Sequence, residues 1–136
     1  MLGRVLDSSA LTAWSLRSSA YIDAIVWSRA EHREYVVPLI TTAAALTAAI
    51  AQLPDKAVPV LDALIGMDIT IVDPLTSDSA PAVAEILRTV APYAAAQAVT
   101  AVSVAHAARR RGLPIVTADP IPLRTLWPKA EIDHIP

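Results

Sequence analysis

Two short apolar segments, one near each end of the chain, lead directly into an aspartate. The first segment ends in Asp7 and the second, which follows Gly112, ends in Asp119. Both have the length and the apolar character of a buried strand. In a parallel sheet, ligands bind in the crevice at the carboxyl ends of the strands. We therefore expect Asp7 and Asp119 to lie at one crevice, although they are far apart in the sequence.

The chain between these aspartates alternates between strand and helix patterns. Strands are predicted at residues 4–7, 35–37, 69–72 and 113–117, with a short fifth strand at 130–135. Helices are predicted after the first strand, from Pro38 to about Gln52, and at residues 58–65, 81–90 and about 93–111. Such alternation builds parallel β-α-β units, and strands without polar alternation have both faces covered. We predict an α/β three-layer sandwich around a central, mostly parallel sheet of four or five strands.

Length and charge limit the class of protein. The chain has 136 residues, enough for one domain with one core, and we assign residues 1–136 to a single domain. Cysteine is absent, which excludes disulfides and thiolate metal sites and agrees with the cytoplasmic location that we expect. The net charge of -2 provides no overall electrostatic signal for nucleic-acid binding.

Two stretches, residues 35–54 and 89–108, contain no Lys, Arg, Asp or Glu. The first approaches the length of a membrane span. Both stretches contain proline, threonine, glutamine and many alanines, which drive insertion weakly. Buried helices of an α/β domain are the favoured interpretation, and no membrane association is predicted.

Motifs of several other site classes are missing. The chain has three glycines and contains no phosphate-binding loop, no dinucleotide fingerprint and no serine-hydrolase elbow. His32, His106 and His134 are too widely spaced along the chain to form a recognisable metal-ligand pair. His106 shares a helical face with Val99 and Val102, which favours a core or interface role over a catalytic one.

Four motifs, taken in order, resemble the PIN-domain family, which includes the ribonuclease toxins of VapC-type toxin–antitoxin modules. They are Leu6-Asp7-Ser8-Ser9-Ala10-Leu11, Tyr35-Val36-Val37-Pro38, Arg110-Arg111-Gly112-Leu113-Pro114 and Val116-Thr117-Ala118-Asp119. The resemblance implies a PIN-like fold and a metal-dependent nuclease. Enzymes of this family gather three or four carboxylates because Mg²⁺ and Mn²⁺ prefer oxygen ligands, and the metal activates water and stabilises phosphate charge.

The acidic set that the resemblance implies is incomplete here. Asp7 and Asp119 match two of its members. The glutamate expected after the second strand falls near Ala44, and the aspartate expected before Gly112 falls near Ala101 or Thr100. We therefore predict a degenerate PIN-like domain with no tightly bound cofactor. Weak, substrate-assisted Mg²⁺ or Mn²⁺ binding through the two aspartates stays the alternative.

Three further residues are candidates for substrate binding. Ser9 and Thr117 match hydroxyl positions beside the acidic site of the family, where they bind a phosphate or orient the aspartates. Local capping is the competing explanation for both. Arg110, within the run at residues 109–111, is a candidate contact for an RNA backbone, whereas cations at a helix C-terminus are also favoured by the helix dipole.

Trp27 lies outside the apolar stripe of its predicted helix, which marks it as an interface residue and favours a homodimer. Three functional hypotheses follow from the whole chain. The first is a non-catalytic binding or regulatory module with an antitoxin-like protein partner or RNA. The second is a weak Mg²⁺- or Mn²⁺-dependent endoribonuclease of the VapC toxin type, with Asp7 and Asp119 as residual catalytic residues. The third is a structural homo-oligomer subunit, which the alanine-rich helices and Trp27 suggest. We also expect Thr41, Ala44, Gln97 and Ala101 to face the crevice that contains Asp7 and Asp119.

Overall fold

The protein is described by a computed structural model that covers residues 3–31, 38–88 and 98–136. Within these ranges, five parallel strands form one sheet in the order β3-β2-β1-β4-β5. Their bounds are β1 Arg4–Leu6, β2 Leu39–Thr42, β3 Thr70–Asp73, β4 Ile115–Thr117 and β5 Ile132–His134. The predicted fold class, an α/β three-layer sandwich with a parallel sheet, is confirmed.

Helices connect the strands. In the described residues they are α1 Ser8–Ser15, α2 Ala20–Glu31, α3 Ala43–Gln52, α4 Val58–Ile65, α5 Ala80–Leu87, α6 Val99–Arg111 and α7 Pro120–Leu126, with a 3-10 turn at Asp55–Ala57. Helix α6 packs across β1, β2 and β4. It ends at Gly112, whose φ of 65° is the left-handed conformation that a C-terminal glycine adopts without steric cost. Within the described residues, we find no helix long and apolar enough to span a bilayer.

The region around β2 corrects one expectation. The predicted strand Tyr35-Val36-Val37 lies outside the described residues, and the helix does not begin at Pro38. Instead, residues 39–42 form β2, and α3 begins at Ala43. The physical reason is local, because Ile and Thr suit a buried strand and Thr42 then caps the helix. Its Oγ1 accepts a hydrogen bond from the Ala45 N–H at 3.1 Å.

Helix α7 is a second feature that the sequence patterns miss. Pro120 and Pro122 are, as local signals, also compatible with an irregular segment. In the fold they occupy the first turn of α7, where proline is tolerated because the amides there have no intrahelical partner. The helix then buries Leu123 and Leu126.

The sheet edge that carries the strand carboxyl ends places the polar residues of interest. Because all five strands are parallel, every strand ends at this edge. Asp7 follows β1 and caps α1, Thr42 ends β2 and caps α3, and Asp73 ends β3. Asp119 follows β4 and precedes α7. The central strands bury Val5, Leu6, Ile115 and Val116, and the buried threonines Thr41, Thr42 and Thr117 stand at their carboxyl ends.

Candidate functional site

Asp7 stands at the junction of β1 and α1 with its carboxyl group held in place. Its Oδ1 accepts a hydrogen bond from the Ala10 N–H at 2.9 Å and another from the Ser9 hydroxyl at 2.6 Å. The first contact is an N-cap of α1, which satisfies an amide that the helix itself leaves unpaired. Both contacts come from residues close to Asp7 in the sequence, and the Asp7 N–H also donates to the Val116 carbonyl on β4 at 3.3 Å.

Ser9 and Thr117 link the end of β1 to the end of β4. The Ser9 Oγ accepts a hydrogen bond from the Ala118 N–H at 2.8 Å and lies 3.3 Å from the Thr117 Oγ1. Thr117 is fully buried, and its Oγ1 accepts a hydrogen bond from the Asp119 N–H at 3.0 Å. The two hydroxyls thus tie the Asp7 and Asp119 turns together across neighbouring strands.

Asp7 and Asp119 line one cavity of about 460 Å³, which we call the aspartate cavity. Helix α6 contributes Thr100 and Ala101 to its wall, together with Ala98 just before the helix, and α7 contributes Pro122, Leu123, Thr125 and Leu126. Among the described residues that line the cavity, Asp7 and Asp119 are the only charged ones. The structure therefore brings the two predicted site residues together, with Ser9 beside them.

Burial and hydrogen bonding act on the Asp7 carboxyl in opposite directions. Desolvation is the larger effect and raises the pKa of Asp7 above its usual value. Hydrogen bonds from the Ser9 and Thr117 hydroxyls and from the Ala10 and Ser9 amides oppose this rise, because they stabilise the carboxylate. No cation lines the cavity among the described residues, so only neutral donors stabilise the charge of Asp7.

The residues of the aspartate cavity do not fit a tightly held divalent ion. Mg²⁺ demands near-octahedral oxygen coordination, and a two-metal clamp needs more ligands than two carboxylates supply. The Asp7 Oδ1 is already engaged by Ser9 and Ala10. In the described part of the chain, no three His, Asp or Glu side chains are grouped closely enough to hold a metal ion.

The residues expected to replace the other carboxylates separate in the fold. Ala101 and Thr100 line the aspartate cavity, as expected, whereas Gln97 lies outside the described residues. Ala44 lines a different cavity, so its expected position is wrong, because α3 begins at Ala43 and places Ala44 beside β2 and β3. Thr41 is buried and donates a hydrogen bond to the Leu6 carbonyl at 2.8 Å, so it does not face the pocket either.

Two other candidates lie away from the aspartate cavity. Arg110 pairs with Asp73 at 3.0 Å and is not among the residues that line the aspartate cavity. Trp27 lies on α2 with 48% of its surface exposed, while Ile22 and Val26 on the same helix are buried. The exposed indole agrees with the position outside the apolar stripe that the sequence indicated.

A second cavity at the same sheet edge was missed from the sequence. It has a volume of about 370 Å³ and is lined by Asp73, Ser103, His106 and Arg110, among others. We call it the arginine cavity. The sequence signal that could have located this cavity is Asp73, because it stands at the end of an apolar, β-branched strand, much as Asp7 directly follows β1.

Comparison with known proteins identifies the fold. No family model and no curated protein matches this sequence. Three similar solved structures each cover 96% of this chain. FitAcB from Neisseria gonorrhoeae has a TM-score of 0.59 and 17% identity over 96% of its own chain. PAE2754 from Pyrobaculum aerophilum has a TM-score of 0.54 and 21% identity over 90% of its own chain. FitAB bound to an IR36 DNA fragment has a TM-score of 0.57 and 14% identity over 94% of its own chain. The PIN-type fold that the sequence motifs indicated is confirmed.

Proposed function

We propose that this PIN-fold protein is a binding or regulatory module that does not cleave RNA. The observation that carries the proposal is the composition of the α6 wall, where Ala98, Thr100 and Ala101 face Asp7 and Asp119. The resemblance places a carboxylate near Ala101, and alanine cannot coordinate a metal. Activity is not inherited with the fold, so the site residues decide the function.

The α7 wall of the same cavity suits a protein partner. Pro122, Leu123 and Leu126 provide apolar surface, and the two carboxylates provide hydrogen-bond acceptors. A partner segment that carries an apolar side chain next to an N–H donor would contact the apolar surface and donate a hydrogen bond to a carboxylate. We propose an antitoxin-like protein as this partner, in the cytoplasm, which the similarity to FitAcB and FitAB supports.

A homodimer through α2 is the second proposed assembly. Trp27 and Tyr21 are both exposed on this helix, at 48% and 38%. Exposed aromatic side chains are enriched at interfaces. Sedimentation of the wild type and of Trp27→Glu at high micromolar concentration tests this assembly. A dimer that Trp27→Glu weakens is the expected result, and a wild-type monomer at these concentrations contradicts it.

Calorimetric titration with Mn²⁺, run beside an RNA-cleavage assay, tests the lack of catalysis. The wild type should bind Mn²⁺ no more tightly than Asp7→Asn, and neither should cleave RNA above the background. Asp62→Asn is the matched control, because Asp62 is an exposed carboxylate on α4 and does not line the aspartate cavity. Mn²⁺-dependent cleavage that Asp7→Asn abolishes and Asp62→Asn retains would overturn the proposal.

One observation favours the alternative, a weak Mg²⁺- or Mn²⁺-dependent endoribonuclease. Asp7 and Asp119 share a cavity next to the Ser9 and Thr117 hydroxyls. One or two carboxylates can hold Mg²⁺ when substrate phosphates and waters complete its coordination. In that case Asp7 and Asp119 would hold the ion only in the presence of RNA. Titration of Mn²⁺ into the protein mixed with a non-cleavable RNA separates this alternative from the main proposal.

A further inference from the structure

The arginine cavity lies at the carboxyl ends of β2 and β3, between α3, α5 and α6. Helix α6 divides it from the aspartate cavity: Thr100 and Ala101 line one side, whereas Ser103, His106 and Arg110 line the other. The two cavities therefore share a sheet edge but present different side chains. The proposed protein-binding role uses only the first of them.

Ser103 is the most informative residue of the arginine cavity. It is 5% exposed, and its hydroxyl has no hydrogen-bond partner among the residues that the structure describes. Buried hydroxyls on helices usually donate to the carbonyl four residues earlier, as Ser15 does to Leu11 at 2.7 Å. Ser103 makes no such bond, although an unpaired buried hydroxyl destabilises the folded state. A ligand atom in the adjacent cavity, reached by rotation of the serine side chain, would satisfy it.

Arg110 places a cation at the wall of the cavity, beside the carboxylates of Asp73 and Asp78. Asp73 pairs with both Arg110 and Arg111, so two guanidinium groups share one carboxylate. The Arg110 side chain is 56% exposed and lines the cavity. Its five N–H donors exceed what one shared carboxylate can accept, so donors remain for a ligand. The exposed carboxylate of Asp78 at the cavity wall is the opposing charge.

Two helices begin at this cavity. Thr42 and Ala44, at the start of α3, line it, and so does Ser79, which precedes α5. The first amides of a helix have no intrahelical acceptor, and the dipole favours negative charge at this end. The helix starts alone would not define a site, but they surround the cavity that also contains Arg110 and the unpaired Ser103.

We propose that the arginine cavity binds a small phosphate monoester, with its phosphate between Arg110, Ser103 and the first turn of α3. A phosphate offers several acceptor oxygens in different directions, which matches donors on three separate elements. The volume exceeds that of one phosphate group, and Leu75, Val83 and Ala107 supply apolar surface for the organic part. This site is separate from the protein-binding role proposed for the aspartate cavity.

Titration followed by two-dimensional amide NMR tests the site, with inorganic phosphate and phenyl phosphate as probes and acetate as the carboxylate control, at constant ionic strength. Saturable shifts should appear at the amides of Ala43, Ala44 and Ser103, and not at Ser9 or Ala118. Phenyl phosphate should bind more tightly than inorganic phosphate, because it also fills the apolar part. Acetate should bind most weakly.

Variants locate the binding groups. Arg110→Gln and Ser103→Ala should each weaken phenyl phosphate binding about tenfold, the value of one hydrogen bond to a charged group. Arg111 remains to pair with Asp73 in Arg110→Gln. Ser103→Ala removes the unpaired hydroxyl, so its melting temperature should not fall. Arg124→Gln, an exposed arginine on α7 outside this cavity, is the matched charge control and should bind like the wild type.

Three results would overturn the proposal. The first is the lack of saturable shifts with either phosphate probe, which a cavity filled by water alone would give. The second is equal affinity for acetate and phenyl phosphate. The third is equal weakening of phenyl phosphate binding by Arg110→Gln and Arg124→Gln. None of them bears on metal binding or RNA cleavage at Asp7, so failure here is distinguishable from failure of the proposed function.

Discussion

Asp7 and Asp73 both end a strand at the same edge of the sheet, but the fold surrounds them differently. Neutral hydroxyl and amide groups hydrogen-bond to Asp7, whereas Arg110 and Arg111 form ion pairs with Asp73. Burial consequently raises the pKa of Asp7, which has no cationic partner among the described residues of its cavity, whereas two guanidinium groups share the carboxylate of Asp73. Helix α6 causes this difference, because it presents alanine and threonine to one cavity and serine, histidine and arginine to the other.

The largest effect should follow from removing the compensated carboxylate. Asp73→Ala leaves two guanidinium groups unpaired at the end of α6, and we expect the free energy of unfolding to fall by about 2 kcal/mol, between the values for exposed and buried pairs. Urea denaturation measures this change. Asp68→Ala, at an exposed aspartate just before β3, is the control and should change stability little. Equal effects of the two variants would show that the ion pairs contribute nothing.

Adding a charge to the aspartate cavity should have the next largest effect. Ala101→Asp places a third carboxylate beside Asp7 and Asp119 and should lower metal-free stability by about 1 to 2 kcal/mol through repulsion and burial. The same variant should bind Mn²⁺ at least about tenfold more tightly, which corresponds to about 1.4 kcal/mol. Thermal unfolding with and without Mn²⁺ measures both changes. Unchanged stability and unchanged Mn²⁺ affinity would place residue 101 away from the two aspartates.

Removing one neutral donor from Asp7 should have a smaller effect. Ser9→Ala deletes the hydroxyl that donates to Asp7 and accepts from Ala118. We expect a loss of about 1 kcal/mol and a further rise in the pKa of Asp7, since its carboxylate loses a stabilising hydrogen bond. Carboxyl NMR titration follows the pKa directly. Ser8→Ala, the neighbouring serine, is the control, and a similar pKa change in both variants would contradict the role of Ser9.

The smallest effect should appear in the pH dependence of stability. Because burial raises the pKa of Asp7 in the folded state, the native protein binds this proton more readily than the unfolded chain. Asp7 therefore reduces stability above its folded pKa, and this penalty disappears as the pH falls towards the unfolded value. Asp7→Asn should be more stable than the wild type at pH 7, with a difference that shrinks at acidic pH. A difference that grows on acidification would show a lowered pKa instead.

Some features of the fold and of the site were predictable because they depend on neighbours in the sequence. The alternation of apolar strands with helices predicted the sheet, and the end of α6 at Gly112 needed only its glycine. The position of Asp7 and Asp119 at one cavity followed from the rule that the carboxyl ends of parallel strands lie at one edge of the sheet. The single-domain assignment, the lack of a tightly bound cofactor and the homodimer stay predictions.

Other features were not predictable, because the competing local signals were of similar strength. Pro38 is compatible with a helix start and with the beginning of a strand, so the first residue of α3 was placed too early. Pro120 and Pro122 fit a first helical turn as well as an irregular segment. In both cases, burial decided the secondary structure. Residues 39–42 are buried in the sheet as β2, and α7 forms with its own Leu123 and Leu126 buried.

The sequence by itself determined which chemical groups this protein has at the ends of its strands, and that the helix before Gly112 carries no carboxylate. Those facts depend only on residue identity and on spacing along one element. The tertiary structure alone decided which helix side chains meet these strand ends. Asp73 lies far from Arg110 in the chain, and Ala44 and Ala101 belong to different cavities, because the rotation of a helix about its axis is set by long-range packing against the sheet.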